Sequence, residues 1–499
     1  MPPQLALFLT LVFSGFMLRH DARRNPQASY ALWLPVIWMF LIGSRFLSQW
    51  LTMMGLPIGG AASIEDGSTF DALVFLALIA AGMMVLSRRN TSATVFASRN
   101  VWLTLFLVYC FASIWWSDFP LVAFKRWVKI LGHPVMALII LTEPNREDAL
   151  RRVFTRTAAL LMPLSILFIK YYPEYGRYFD SWTGIPSNRG VALSKNELGS
   201  LCLVFGLFFF WSLLTVRRFA LKQRRREEIG ISLFFLWMTW YLLTSADSAT
   251  SLACLTLGVS VIFLLGMPFV STRYFGSYIL IAVTLVGLAQ FSLGIYQETL
   301  SFLGRDPTLT SRTEIWADLL KIPINPLLGA GFESFWLGER LQKIWAIWDF
   351  GPNQAHNGYL ETYLNLGWIG VVLLVGLLLA TFRKGQADLL EHFEFGRFRL
   401  GLLFTLLAYN YTESAFKGLH LIWTMFFLIS IDYATQVARV RARVPAQTGI
   451  EPGTANVRAR QAPAREAAAP ALGMPSPNRG WHGPARFLAR PAAKVPESR

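Results

Sequence analysis

The sequence predicts an all-α fold, a polytopic bundle of about 12–13 transmembrane helices with one long loop on the non-cytoplasmic side. Three observations predict it. Charged residues make up only 15% of the 499 residues and hydrophobic ones 54%, whereas a soluble chain carries about 25% charged. Apolar runs near 20 residues recur along the chain, each long enough to cross roughly 30 Å of hydrocarbon. Short loops rich in Lys and Arg return after every second run.

The predicted spans are, in order, 4–18, 30–51, 70–87, 100–117, 120–141, 153–172, 198–216, 229–245, 249–270, 276–296, 366–382, 398–414 and 418–434. Backbone groups in lipid must satisfy one another, which leaves helices or closed barrels. The runs do not alternate with period 2, and residues 371–380 are apolar on every side, so a barrel is excluded. The first run lacks a basic n-region and a small-residue cleavage pattern and is read as a retained helix. The fifth is unusual in carrying Lys125, Arg126 and Lys129 near one end.

Arg19, Arg23 and Arg24, then Arg88, Arg89 and Arg99, then Arg146, Arg151 and Arg152, then residues 217–226, then Arg383, Lys384, Arg397 and Arg399 mark one side of the membrane. Positive loops stay in the cytoplasm, so the 297–365 loop is predicted to be periplasmic in a bacterial inner membrane. Two regions follow: a helical domain over 1–435, and a basic Pro- and Ala-rich tail over 436–499, expected to be disordered and cytoplasmic. The net charge is +16, but the tail alone holds 11 Lys and Arg against 3 acids. Half of the excess therefore lies where it can rest against anionic lipid, and nucleic-acid binding is not expected. Cys110, Cys202 and Cys254 fall in apolar runs without paired spacing, which fits neither a disulfide framework nor a zinc motif.

Topology filters the histidines. His20, His392 and His482 fall on the cytoplasmic side, His133 within the membrane and His420 at the start of the last span; His356 lies in the long outer loop. A helix starting near Asn357 would place His356 at its N-terminal end, as a general base near neutral pH or as a polar capping residue. Asn357 and Glu361 flank it as substrate-binding candidates. Arg305 and Arg312 share the loop, separated by Pro307. Thr310 or Ser311 can cap a short helix from Arg312 whose stripe of Ile315, Trp316, Leu319 and Leu320 suits a membrane surface. Arginine at that helix start suits a phosphate, although snorkelling explains it equally well. The turn over 325–331 has two glycines that would let a ligand approach the backbone.

Two more clusters fall on the same side. Lys125, Lys129 and His133 recur every four residues as one helical stripe. Arg189, Lys195 and Asn196 come from the loop before the seventh span. Each is explicable as loop solvation; together they suggest an anionic, lipid-linked substrate.

These residues resemble the O-antigen ligase and O-antigen polymerase superfamily of bacterial envelope glycosyltransferases, and most of all its exopolysaccharide-production branch. The resemblance rests on Ser311-Arg-Thr-Glu-Ile-Trp316, Asn325-Pro-Leu-Leu-Gly-Ala-Gly331 and Ala355-His-Asn-Gly-Tyr-Leu360 running into Leu366-Gly-Trp-Ile-Gly370. Lys195-Asn-Glu-Leu-Gly199 and Ser245-Ala-Asp-Ser-Ala-Thr250 support it, and the order holds across residues 100–435. It implies a glycosyltransferase C-type fold, an undecaprenyl-pyrophosphate-linked oligosaccharide donor, an acceptor glycan, and no metal or other cofactor. It implies His356 as base and Arg312, with Arg189 as a looser match, as pyrophosphate ligands. Many members carry an acid where Asn365 stands here, so no catalytic acid is assigned at that point.

The function expected is polymerisation of lipid-linked repeat units, with polysaccharide export or chain-length proteins as partners. A ligase acting on a lipid A core or a protein is the alternative within the enzyme class. A lipid-linked sugar flippase is the alternative outside it; the absence of visible repeats and the outer-loop weighting of the polar residues count against that reading.

Overall fold

The computed structural model describes residues 1–24, 29–56, 68–180, 184–219, 221–293 and 312–433. These lie within one compact unit, Met1–Arg443. Arg305 and the tail over 436–499 lie outside the described residues.

The described residues are mostly helical. In order, the helices are α1 (Pro3–Arg24), α2 (Trp33–Ile42), α3 (Leu47–Met53), α4 (Thr69–Arg88), α5 (Ala93–Arg99), α6 (Val101–Ala112), α7 (Pro120–Ile130), α8 (Gly132–Leu141), α9 (Arg146–Tyr171), α10 (Pro173–Gly176) and α11 (Lys195–Thr215). They continue as α12 (Lys222–Ala246), α13 (Ala249–Leu265), α14 (Phe275–Leu293), α15 (Arg312–Leu319), α16 (Gly338–Ile347), α17 (Gly358–Glu391), α18 (Phe393–Thr412) and α19 (Leu421–Ser430). A two-stranded antiparallel hairpin, β1 (Arg177–Phe179) and β2 (Pro186–Asn188), precedes α11.

Lipid exposure and burial sort the helices. α1 and α4 present Phe8, Leu11, Phe16, Leu73 and Met84 outward, an apolar surface that only a membrane tolerates. α11 is buried on nearly every side. Its Phe208 stacks on Phe154 of α9 with centroids 4.4 Å apart, and its Trp211 lies 4.9 Å from Phe398 of α18. α11 is thus the central post around which α9, α12, α13 and α18 pack.

The basic helix ends are joined to one another. Arg24, closing α1, pairs with Glu228 near the start of α12 at 3.1 Å, and Arg224 of α12 reaches Asp148 in the first turn of α9 at 3.3 Å. The C-terminus of α1 and the N-termini of α9 and α12 therefore share one end of the bundle, as an alternating traverse requires.

Among the described residues, six single helices are long and apolar enough to span a membrane, and two pairs bent by 65° and 106° bring the number to eight. The predicted thirteen thus include helices that are shorter or broken. The fifth predicted span divides at Leu131 into amphipathic α7 and fully buried α8. Pro134 removes the amide that would bond to Ile130, and Gly132 packs directly under the Trp38 ring, while Leu131 between the two segments keeps right-handed helical angles. Of the predicted stripe of Lys125, Lys129 and His133, the two lysines are half-buried and the histidine is fully enclosed. His133 is buried in α8, accepting from Trp38 Nε1 at 3.3 Å and lying 2.9 Å from the Gly418 carbonyl.

The eleventh predicted span begins earlier than its hydropathy suggests. α17 starts at Gly358 and is interrupted at Gly367, whose φ of 62° and ψ of −166° only glycine adopts easily. The break frees backbone groups on both sides, and the 325–331 turn takes them up. Ala330 and Gly331 donate to the Leu364 and Asn365 carbonyls at 3.0 and 2.9 Å, while Trp368 and Ile369 donate to Pro326 and Leu327 at 2.9 and 3.2 Å. The glycines of that turn thus serve close backbone contact within the protein: a side chain on Gly329 would meet the Asn365 carbonyl at 2.5 Å. Gly367→Ala is expected to cost about 1–3 kcal/mol through backbone strain alone, before the collision with Leu327 is counted. Thermal unfolding of the purified variant in detergent checks this, and an unchanged midpoint contradicts it.

α15 and α16 sit with this turn on a second, smaller core of Ile315, Leu319, Phe335, Trp336, Leu341, Ile344, Ala355 and Leu364. Half of the predicted surface stripe, Ile315 and Leu319, faces inward to this core, while Leu320 is exposed.

Candidate functional site

The site forms where α11, α15 and α17 begin and α18 ends. Each residue of the 355–358 motif has its own task there. Ala355 is buried, and its amide donates to Glu361 Oε2 at 3.0 Å. His356 has φ +49°, a left-handed conformation costly for a residue with a Cβ. Asn357 caps α17, its Oδ1 accepting from the Tyr359 and Leu360 amides at 3.0 Å each. Gly358 lies against Asn410 of α18 with no room for a side chain.

Two further bonds fix the crossing. The Asn357 amide donates to Ser414 Oγ at 2.9 Å, and Asn410 Oδ1 accepts from the Ala415 and Phe416 amides at 3.0 Å each. The turn after α18 is thereby held against the start of α17. That turn begins with Glu413.

Glu413 is 5% exposed and collects three donors. His356 Nδ1 lies 3.1 Å from Oε2; Arg312 Nη2 and Asn196 Nδ2 lie 2.8 and 2.9 Å from Oε1. Arg312 also donates to the Thr412 carbonyl, and the Tyr409 hydroxyl donates to the Asn196 carbonyl at 3.3 Å. Burial alone pushes the Glu413 carboxyl up, but the hydrogen bond and charge of His356, with those of Arg312, outweigh it and hold the group below the usual carboxylate range. Glu413 is therefore an anion at neutral pH. Its ion pairs stabilise the fold above the ordinary carboxyl pKa, and this contribution is lost as pH falls through the lowered one.

The network selects one imidazole tautomer. Lys417 Nζ donates to Gln354 Oε1 at 2.7 Å, so the amide nitrogen of Gln354 is the atom that faces His356 Nε2, at 3.4 Å. With a carboxylate at Nδ1 and an amide donor facing Nε2, the proton belongs on Nδ1 and the Nε2 lone pair is the acceptor turned toward Gln354.

The remaining predicted residues divide around this centre. Lys195 lies beside Asn196 at the start of α11 and pairs with Asp180 at 3.1 Å. Arg189 is half-buried, donates from Nε to the Tyr175 carbonyl at 3.0 Å, and lies over the Tyr178 ring. Glu361 is taken up by the protein, its Oε1 accepting from Trp336 Nε1 at 2.7 Å while Oε2 holds Ala355. Asn365, one turn on, donates to the Glu361 carbonyl at 2.9 Å and accepts from the Phe335 amide at 3.1 Å. Asn357 and Glu361 thus shape the His356 loop. Lys125 and Lys129 lie on α7 near Arg126, which donates to the Glu333 carbonyl, while the Glu333 carboxylate accepts from the Gly418 amide. This second cluster adjoins the Lys417 turn.

Glu413, Lys417 and Gln354 were not among the residues the sequence singled out. Glu413 had one signal, an ionisable side chain at the end of an apolar run, which by default marks function.

Comparison with known proteins follows the same residues. A family model described as O-antigen ligase matches residues 233–375, from α12 into α17, a stretch that holds both Arg312 and His356. The exopolysaccharide production protein ExoQ of Rhizobium meliloti (strain 1021) is 25% identical over 293 residues, covering 56% of this chain and 64% of the relative. The chain therefore spans slightly under two thirds of that relative's length. Both findings bear out the resemblance to the O-antigen ligase superfamily and its exopolysaccharide-production branch.

Proposed function

We propose that this O-antigen-ligase-like membrane protein polymerises lipid-linked oligosaccharide repeat units, moving glycan from undecaprenyl pyrophosphate to a hydroxyl of an acceptor sugar. One observation carries the reading: His356 and Arg312, from separate motifs of the matched region, converge on the carboxylate of Glu413.

In the proposed step, His356 Nε2 takes the proton from the acceptor hydroxyl. The oxygen forms a bond to the anomeric carbon as the bond from that carbon to the pyrophosphate oxygen breaks, with inversion. The electron pair leaves on the pyrophosphate, where Arg312, with Arg305, Arg189 and Lys195, offsets the developing charge. Lys125 and Lys129 add to the positive field. Glu413 holds the ring in the Nδ1–H tautomer and stabilises the imidazolium that forms, while Asn357 and Glu361 keep its loop in place. The site faces the periplasm and the tail the cytoplasm, following the basic-loop pattern.

The test is reconstitution. Purified full-length protein in detergent, given undecaprenyl-pyrophosphate-linked repeats, should produce a ladder of multiples on the carrier. Transfer only to an added lipid A core would make it a ligase; the same substrates left uncoupled would reject the enzymatic reading, including its base.

A further inference from the structure

We propose that Gln354 is a positioning residue that reserves the base for a sugar hydroxyl and withholds it from water. Resting on the proposed reaction, this role belongs to the moment before an acceptor arrives. The His356 imidazole is only 14% exposed, and the side-chain amide of half-buried Gln354 covers its reactive nitrogen, with the amide nitrogen 3.4 Å from ring Nε2.

The covering amide is held in one orientation. Lys417 Nζ donates to Gln354 Oε1 at 2.7 Å; turning the amide over would set its NH₂ against the ammonium and its oxygen against the ring lone pair. Glu197 and Glu333 act on Lys417 through space, but among the described residues its direct contact is with Gln354. The backbone beside Gln354 is pinned as well. Ala355 is held at its amide by Glu361 and at its carbonyl by Trp316 Nε1, and the Pro352 carbonyl accepts from Trp345 Nε1 at 2.9 Å. Gln354 therefore uncovers the base by rotating its own side chain while the loop stays in place.

A contact of this kind discriminates between acceptors. A neutral hydrogen bond of 3.4 Å is long and contributes little net free energy. An acceptor sugar brings contacts remote from the reacting hydroxyl and can spend them on displacing the amide, whereas a single water brings none. The distinction matters because the same base would activate water. In that side reaction His356 Nε2 takes a proton from water and the water oxygen bonds to the anomeric carbon. The bond from that carbon to the pyrophosphate oxygen breaks, its electron pair stays on the pyrophosphate, and free oligosaccharide is released. Keeping water from the reacting atoms is how a transferase protects its donor.

The test measures released and coupled glycan together, with purified full-length protein in detergent and undecaprenyl-pyrophosphate-linked repeats. Gln354→Leu keeps bulk without the donor and is expected to raise the ratio of release to coupling about 2- to 10-fold, the worth of one hydrogen bond. Lys417→Met, which frees the amide to turn, should raise it less. A merely structural defect would lower both products and the melting point and leave the ratio unmoved. A folded Gln354→Leu with the parental ratio overturns the proposal and leaves the reaction standing. Nitrogen NMR of the imidazoles gives a second readout: the His356 Nε2 signal, identified by its loss in His356→Ala, should move in Gln354→Leu. An unmoved signal in a protein that couples normally would overturn the role of Gln354 alone. A moved signal in a protein that neither couples nor releases glycan would overturn the proposed reaction, and this role with it.

Discussion

His356→Ala is expected to lower the rate of glycan coupling by about 10²- to 10⁴-fold, the usual contribution of a positioned general base. The loss should fall on kcat, because the imidazole meets the acceptor hydroxyl only as its proton is transferred, and not on the affinity for the donor. His356 has a left-handed backbone, so alanine in its place keeps some strain while losing the bond to Glu413. Expression level and melting point therefore have to be matched to the parent's before rates are compared. A folded variant with parental kcat would falsify the base assignment.

Glu413→Gln should be almost as severe, roughly 10²- to 10⁴-fold, by a different route. The amide matches the carboxylate in shape but can turn its NH₂ toward His356 Nδ1, favouring the tautomer with the proton on Nε2, where the acceptor must be deprotonated. It also removes the negative charge shared by Arg312 and His356. Arg312, Asn196, Tyr409, Lys417 and Glu197 are the polar and charged neighbours whose fields remain. With the carboxylate gone, the imidazolium that forms during proton transfer loses its counter-charge, so kcat falls. Glu413→Asp should recover part of the rate. A parental rate in folded Glu413→Gln would remove Glu413 from the proposed step, and a loss of rate matched by a loss of melting point would assign it to the fold alone.

The way the site is assembled explains which parts could be read from the sequence. The helical character was plain because each long apolar run is contiguous, and the membrane leaves such a run few alternatives. Counting spans was less secure: a hydropathy window cannot see that residues 120–141 divide at Leu131, or that Gly367 breaks a helix which then continues to Glu391. His356 and Arg312 stood out because their surroundings are polar and their motifs local. Glu413 did not, since it lies 57 residues from His356 at the end of an apolar helix. Only the packing of α17 on α18, through Gly358 and Asn410, brings the two together. Lys417 stayed hidden for the same reason, its partner Gln354 being 63 residues away.

The stitching of the 325–331 turn to the Gly367 break has a consequence for how the protein can diversify. Downstream of that seam, the chain is fastened again at Ala355, whose carbonyl accepts from Trp316 Nε1 at 2.7 Å and whose amide is held by Glu361. The stretch between, including α16, is an excursion with both ends anchored to the scaffold that carries the histidine. Its buried side, Phe335, Trp336, Leu341 and Ile344, belongs to the second core, so the freedom to vary is confined to exposed positions such as Glu339, Gln342, Lys343, Ile347 and Asp349, which can change while the imidazole stays in register.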